Sequence, residues 1–483
     1  MQRFVLRILV ATLVLPTLMM AEPLPASAAE TEYPNLKTLP PTDLRFDSAV
    51  IGGATHQVLR FSNVVWNGGE GELDLHGVSS FVSKTTKVYQ RIYDTGGGYV
   101  SRNVGEFVFH PEHDHFHFEG FSDFELWTQA GWDAWLASGR TQGRPYKVSA
   151  KNTSCVMDTY MVQRLPDTPN NPAYGSVCGT TKQGLSVGWG DLYAYYLYGQ
   201  WIDLGANRLA NNTYVLRSVA DPDNRLYESS TKSATSRESA TVNEAITYFQ
   251  VTNGAISVDR GAPTVSLPST SVLPNATLNT SAIPVTVKWT GHDTISGVAR
   301  YELQRSVNGG AYGGVRLPTP AATSVTPPSY PDRTYQYRVR GIDRGGNVSA
   351  WKVGTPFHLS ATPEDSGVTY AGSWKAAAAT AAYGGGVRYS SEAASTATRS
   401  FTGRQIAFVS DRGASRGIAA IYVDGVRVAT IDLYAASGQW RRVVYAKSWN
   451  TSGTHRISVQ VTGTKRDASS SARVDVDAFV VLR

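Results

Sequence analysis

Hydrophobic and polar side chains alternate along much of this chain, and helical spacing is scarce. In Tyr335-Gln336-Tyr337-Arg338-Val339-Arg340 every second residue is aromatic or aliphatic, which is the period of a half-buried strand. Ile421-Tyr422-Val423 leads into Asp424-Gly425, a pair suited to the two positive-φ positions of a tight hairpin turn. With 45 glycines and 23 prolines punctuating short segments, the pattern predicts an all-β protein. The one long apolar run breaks this pattern. Phe4 to Met20, accompanied by Arg3 and Arg7, ends at Pro25-Ala26-Ser27-Ala28-Ala29, which predicts a secretory signal peptide over residues 1–28, cut near Ala28. No later segment is apolar enough to span a bilayer, so the expectation is a secreted protein, extracellular or cell-wall-associated, and free of the membrane.

A chain of 483 residues suggests about three domains. Turn-rich breaks at Asn253-Gly254-Ala255, Gly261-Ala262-Pro263 and Ser360 to Gly367 divide it into 30–255, 262–360 and 366–483. The middle block, with Val285-Thr286-Val287-Lys288-Trp289, the strand from Tyr335 and Asp343-Arg344-Gly345-Gly346-Asn347, resembles a fibronectin type III sandwich of the immunoglobulin-like class. The last block, with Gly403-Arg404-Gln405-Ile406, Tyr422-Val423-Asp424-Gly425 and Val474-Asp475-Val476-Asp477-Ala478-Phe479, resembles a jelly-roll module of the carbohydrate-binding kind. Trp374, Tyr383, Tyr389, Tyr434 and Trp440 are candidates to stack on sugars there, although single aromatics in a sandwich more often fill its core.

Charge separates the halves. Residues 30–255 carry 18 Lys and Arg against 24 Asp and Glu, a net of −6, and residues 256–483 carry 25 against 14, a net of +11. An acidic first block draws in cations such as amines, and a basic second half favours anionic cell-wall polymer or polysaccharide. Solvated surface charge chosen for solubility accounts for the same numbers.

The chemistry concentrates in His110-Pro111-Glu112-His113-Asp114-His115-Phe116-His117, which holds four of the nine histidines. In a regular strand His113, His115 and His117 share one face, with Asp114 and Phe116 on the other. Three imidazoles facing one point suit copper, zinc, iron or nickel and leave coordination positions open. A cupin is one alternative, since His113, His115 and Glu119 fit its first spacing, but the next histidine after His117 is His292, beyond the first block. A zinc hydrolase with Glu112 or Asp114 as base is another.

The wider pattern decides between them. Leu59-Arg60-Phe61-Ser62, Val64-Val65-Trp66-Asn67-Gly68-Gly69, the histidine cluster, Phe121 to Leu126, Lys151-Asn152-Thr153-Ser154-Cys155-Val156-Met157-Asp158-Thr159, Gln183-Gly184-Leu185-Ser186, and Asp191-Leu192-Tyr193 running to Gly199-Gln200-Trp201-Ile202-Asp203 occur in that order. From about residue 33 to 251 the chain resembles the lysyl oxidase catalytic domain, a β-sandwich-type fold. The resemblance implies copper held by His113, His115 and His117, and a lysine tyrosylquinone cofactor made from Lys151 and Tyr193. It also implies oxidation of primary amines, peptidyl lysine or related, to aldehydes by dioxygen, with release of ammonia and hydrogen peroxide.

Lys151 must be neutral to add to an oxidised ring, so it should sit where burial or a nearby metal lowers its pKa. Tyr195 shares a strand face with Tyr193 and is the obvious mistaken choice. Asp158 and Asp191 flank the precursor segments and are the candidate catalytic bases. Animal members of the family carry many more cysteines; this chain has two, Cys155 and Cys178, expected to pair in an exported protein. No nucleic-acid partner is expected. The rival reading is a secreted, metal-binding adhesion protein of the cell wall, without turnover.

Overall fold

The computed structural model describes residues 29–78, 84–112, 114–175, 177–229 and 243–483. The leader expected over residues 1–28 and the candidate ligand His113 lie outside them. No helix among the described residues is long and apolar enough to cross a membrane.

The chain is all-β, as the alternation predicts. The strand Arg333–Asp343 buries Tyr335, Tyr337 and Val339 and exposes or half-exposes the residues between them. Asp424 and Gly425 take φ of 53° and 84° at the tip of the hairpin joining Ile418–Val423 to Val426–Asp432. Both lie in the left-handed region that such a turn demands of its central pair.

Three antiparallel sheets build the N-terminal half. The first runs Thr153–Ser154, His115–Glu119, Tyr99–His110, Thr85–Asp94, Leu73–Gly77, Lys182–Leu185. The second is organised on the long strand Ala54–Asn67, which pairs with Trp189–Tyr193 at one end and Trp201–Gly205 further along. The third runs Lys147–Val148, Ser122–Thr128, Asn212–Ala220, Glu244–Thr252, Ala255–Val258. Apolar faces hold them together. Leu75, Val88, Phe107 and Phe118 form one core with Val65 and Leu36, and Leu59 and Phe61 form another with Phe124, Leu126 and Phe249. Because Ala54–Asn67 contributes to both cores, it fixes the first sheet relative to the third. Truncating a fully buried phenylalanine such as Phe61 or Phe118 to alanine would cost roughly 3–5 kcal/mol.

In the C-terminal half, Phe357–Pro363 pairs with Arg333–Asp343 on one edge and with Ala478–Leu482 on the other. One core collects Leu303, Tyr337 and Leu359 together with Ala407, Val480 and Leu482. Sheet and core therefore run across the composition break at 360–367. Of the aromatics singled out for sugar stacking, Trp374 and Tyr383 pack against the two cores. Tyr389 and Tyr434 carry the guanidinium groups of Arg473 and Arg466 on their rings, and Trp440 is half-buried.

Candidate metal and cofactor site

The histidine segment is not one regular strand. His110 ends the strand Tyr99–His110, Pro111, Glu112 and Asp114 take turn conformations, and His115 opens His115–Glu119 as the cross-strand partner of His110. Asp114 has φ of 55°, which is not extended backbone, so among the described residues the regular alternation expected through this segment holds only from His115 onward. Within His115–Glu119 the alternation holds. Phe116 and Phe118 face the core, where they meet Phe109 and Phe107 edge-on at 5.3 and 6.1 Å. His115 and His117 face the opposite way, their Nε2 atoms 2.9 Å apart. His117 is buried, and His110 from the neighbouring strand stacks on its ring at 4.4 Å.

The short strand Thr153–Ser154 lies on the other edge of the histidine strand, Thr153 opposite Glu119 and Ser154 opposite Phe118. Thr153 Oγ1 lies 3.0 Å from His117 Nδ1. The same segment delivers Lys151. Its Nζ stands 4.2 Å from the centroid of the Tyr193 ring and reaches the Tyr198 carbonyl at 3.5 Å. Burial pulls the Lys151 pKa down to about 8, against the opposing charges of Asp191 and Glu112. An ammonium in water would be almost wholly protonated at neutral pH; this one gives up its proton far more readily. Gly199, at φ of 78°, backs the lysine: a Cβ there would come within 3.3 Å of Lys151 Cδ.

Tyr193 ends the strand Trp189–Tyr193. Its phenol oxygen accepts from the Cys155 amide at 2.6 Å. Burial, and then the Asp191 charge, push the phenol upward, while the Cys155 N–H pulls the other way. Tyr195 lies beyond the strand's end, under the Arg45 guanidinium at 3.6 Å, and Lys151 does not stand over it.

The two candidate bases differ. Asp158 accepts from the amides of Ala173 at 2.9 Å, Tyr174 at 3.2 Å and Ser186 at 2.8 Å, and from the Ser186 hydroxyl at 2.6 Å. Its lone pairs are committed to holding the chain between 173 and 186. Asp191 is 3% exposed; its Oδ2 finds no hydrogen-bond partner among the described residues. It lines a small buried cavity together with Lys151, Tyr193 and Gln200. Burial raises its pKa well above the usual carboxylate range, the Lys151 charge opposing and the Asp158 charge adding.

Cys155 and Cys178 are disulfide-bonded, their Cα atoms 5.5 Å apart. The Cys178 carbonyl accepts from the Phe116 amide at 3.0 Å, between the two histidines. Two residues in this network had no role assigned from the sequence. Gln183 donates to the Phe116 carbonyl at 2.9 Å and accepts from the Val156 amide at 3.0 Å, and Thr153 touches His117. Neither shows a signal in spacing, because each acts on a strand remote in the chain. A groove of about 480 Å³ opens onto the site, lined by His110, His117, Lys151, Glu112, Glu119 and Asp203. Its carboxylates suit a cationic visitor. His292, the histidine a cupin would need, lies on the strand Gly291–His292 in the C-terminal half.

Residues 84–252 match the family model described as lysyl oxidase. No curated protein matches the chain. Among solved structures, similarity is found to an α-L-rhamnosidase from Aspergillus terreus, with 11% identity over 46% of this chain and 27% of that one, TM-score 0.22. A xanthan lyase from Paenibacillus matches at 10% identity over 90% and 43%, TM-score 0.22. An exo-β-1,3-galactanase from Phanerochaete chrysosporium matches at 10% identity over 91% and 95%, TM-score 0.19. The chain spans less than half the length of the first two, and likenesses this loose carry no argument here.

Proposed function

We propose that this chain is a secreted copper-dependent amine oxidase that converts primary amines, peptidyl lysine or related, to aldehydes with dioxygen, releasing ammonia and hydrogen peroxide. The observation that carries the reading is the Lys151 amine poised 4.2 Å over the Tyr193 ring, inside the region that matches lysyl oxidase. The donor set fits copper: His115 and His117 turn Nε2 atoms toward one point, and imidazole is a preferred ligand of that metal. His113 would complete the set by resemblance. Copper and dioxygen, when bound, would supply the oxidising equivalents that turn the Lys151–Tyr193 pair into lysine tyrosylquinone, the group that accepts electrons from the substrate amine.

The chain's own residues supply the rest. Burial lowers the Lys151 pKa to about 8, so the neutral amine that adds to the ring is reached more readily than from an exposed lysine. The Cys155 amide holds the Tyr193 oxygen, fixing the ring under Lys151 Nζ. Glu112, Glu119 and Asp203 along the groove draw in a cationic amine. Asp191, with a free oxygen beside both precursors, is the better placed of the two acids to take a proton; Asp158 is held in a structural role.

Peroxide release from a panel of primary amines by the copper-loaded protein tests the reading, and its absence across the panel would overturn it. About one copper per chain is expected, with His115→Ala reducing it to background. Elemental analysis that found copper unchanged in that variant would remove the proposed ligand set. The net charge of +11 over residues 256–483 should give the full chain a salt-sensitive adhesion to anionic wall polymer. Retention that does not weaken from low to high ionic strength would leave the C-terminal half without this role.

A further inference from the structure

Thr153 has a hydroxyl with one proton to give and lone pairs to accept with, and it stands between two histidines. Its Oγ1 is 3.0 Å from His117 Nδ1 and 3.4 Å from His110 Nε2. On the far side of His110, Nδ1 is 3.1 Å from Glu112 Oε1. These contacts admit one direction compatible with a metal ligand at His117. To offer its Nε2 lone pair, His117 must carry its proton on Nδ1, so that Thr153 accepts there. The hydroxyl proton then turns to His110 Nε2, and His110, protonated on Nδ1, donates to the Glu112 carboxylate.

We propose, resting on the copper reading above, that Thr153 is a positioning residue of the metal centre. Its hydroxyl fixes the tautomer and ring orientation of His117, and it ties up the Nε2 of His110, so that His110 orders the site from outside rather than binding the ion. The arrangement has the form in which ligating histidines are generally held, the second ring nitrogen satisfied by a fixed oxygen partner. Thr153 is also buried and strand-paired to the histidine strand at Glu119. Its own backbone is thus pinned to the segment it orients, two residues from Lys151.

Thr153→Val keeps the shape of the side chain and removes both hydrogen bonds, whereas Thr153→Ser keeps the hydroxyl. Copper affinity measured by competition with a chromogenic chelator should fall roughly 10- to 100-fold in the valine variant. The electron paramagnetic resonance spectrum of its bound Cu(II) should change, and the serine variant should restore both. A valine variant that binds copper within about two-fold of wild type with the same spectrum would overturn the proposal. So would a serine variant that behaves like valine. If valine prevents folding, nitrogen NMR of the copper-free wild-type protein decides: His117 and His110 should both be protonated on Nδ1, and a proton on Nε2 of His117 would overturn the assignment. Failure of the wild type to bind copper would instead sink the copper reading on which the proposal rests.

Discussion

Digestion of the copper-loaded protein is expected to yield Lys151 and Tyr193 in one covalently joined peptide pair, absent from protein made without copper. Forming the bond between Lys151 Nζ and a ring carbon adds one ring oxygen and removes four hydrogens overall. Two dioxygen molecules, reduced to one water and one hydrogen peroxide, balance the change. The starting geometry favours it, since Nζ already lies 4.2 Å from the ring centroid and burial holds its pKa near 8. Lys151→Arg should abolish the joined pair and turnover together, because a guanidinium stays protonated and is a poor nucleophile, yet copper should remain, the histidines being untouched. Tyr193→Phe should behave likewise, lacking the oxygen at which ring oxidation begins. A hydrazine should label the joined pair in wild type and stop turnover, by mimicking the substrate amine. Mass spectrometry that found only separate Lys151 and Tyr193 peptides in an active preparation would refute the cofactor assignment, and Tyr195 would then have to be reconsidered.

Removal of the disulfide, by Cys155→Ser with Cys178→Ser, should damage both halves of the site. The cysteines are 23 residues apart in sequence, and releasing a loop of that size costs about 3 kcal/mol on the chain-entropy account. The local consequences are more specific. Cys155 supplies the amide that holds the Tyr193 oxygen, and the Cys178 carbonyl holds the Phe116 amide between His115 and His117. Freeing either end loosens the ring under Lys151 and the strand that carries the histidines. Weaker copper binding and slower crosslinking should therefore accompany the loss of denaturant stability. A double variant with the copper affinity and crosslink yield of wild type would show that the strands hold the site without the bridge.

Much of the local structure was legible in the amino-acid sequence alone. Alternation marked the strand of Tyr335, Tyr337 and Val339. Asp424-Gly425 marked the hairpin between Ile418–Val423 and Val426–Asp432, and His115-Phe116-His117 marked a strand with imidazoles on one face and aromatic core on the other. These readings depend only on the two-residue period of a strand and on the few residues that tolerate positive φ, so near neighbours contain all that is needed. The pattern of Lys151, the two cysteines and Tyr193 located the candidate site by resemblance.

What tertiary structure alone decided is how remote segments meet. The turn residues Pro111, Glu112 and Asp114 interrupt the alternation because His110 and His115 are cross-strand partners, a pairing no local period announces. The resemblance had already named Tyr193 over Tyr195; what the fold adds is the meeting itself, the strand Trp189–Tyr193 ending beside its partner Ala54–Asn67 while Thr153–Ser154 brings Lys151 in from another sheet. Asp158 and Asp191 looked equivalent in sequence; the fold gives one four hydrogen bonds and leaves an oxygen of the other open beside the precursors. The composition break at 360–367 hid a strand shared by both C-terminal blocks. In each case the deciding contact joins residues far apart in the chain, and register between strands is set by the packing of whole faces rather than by the residues at the contact.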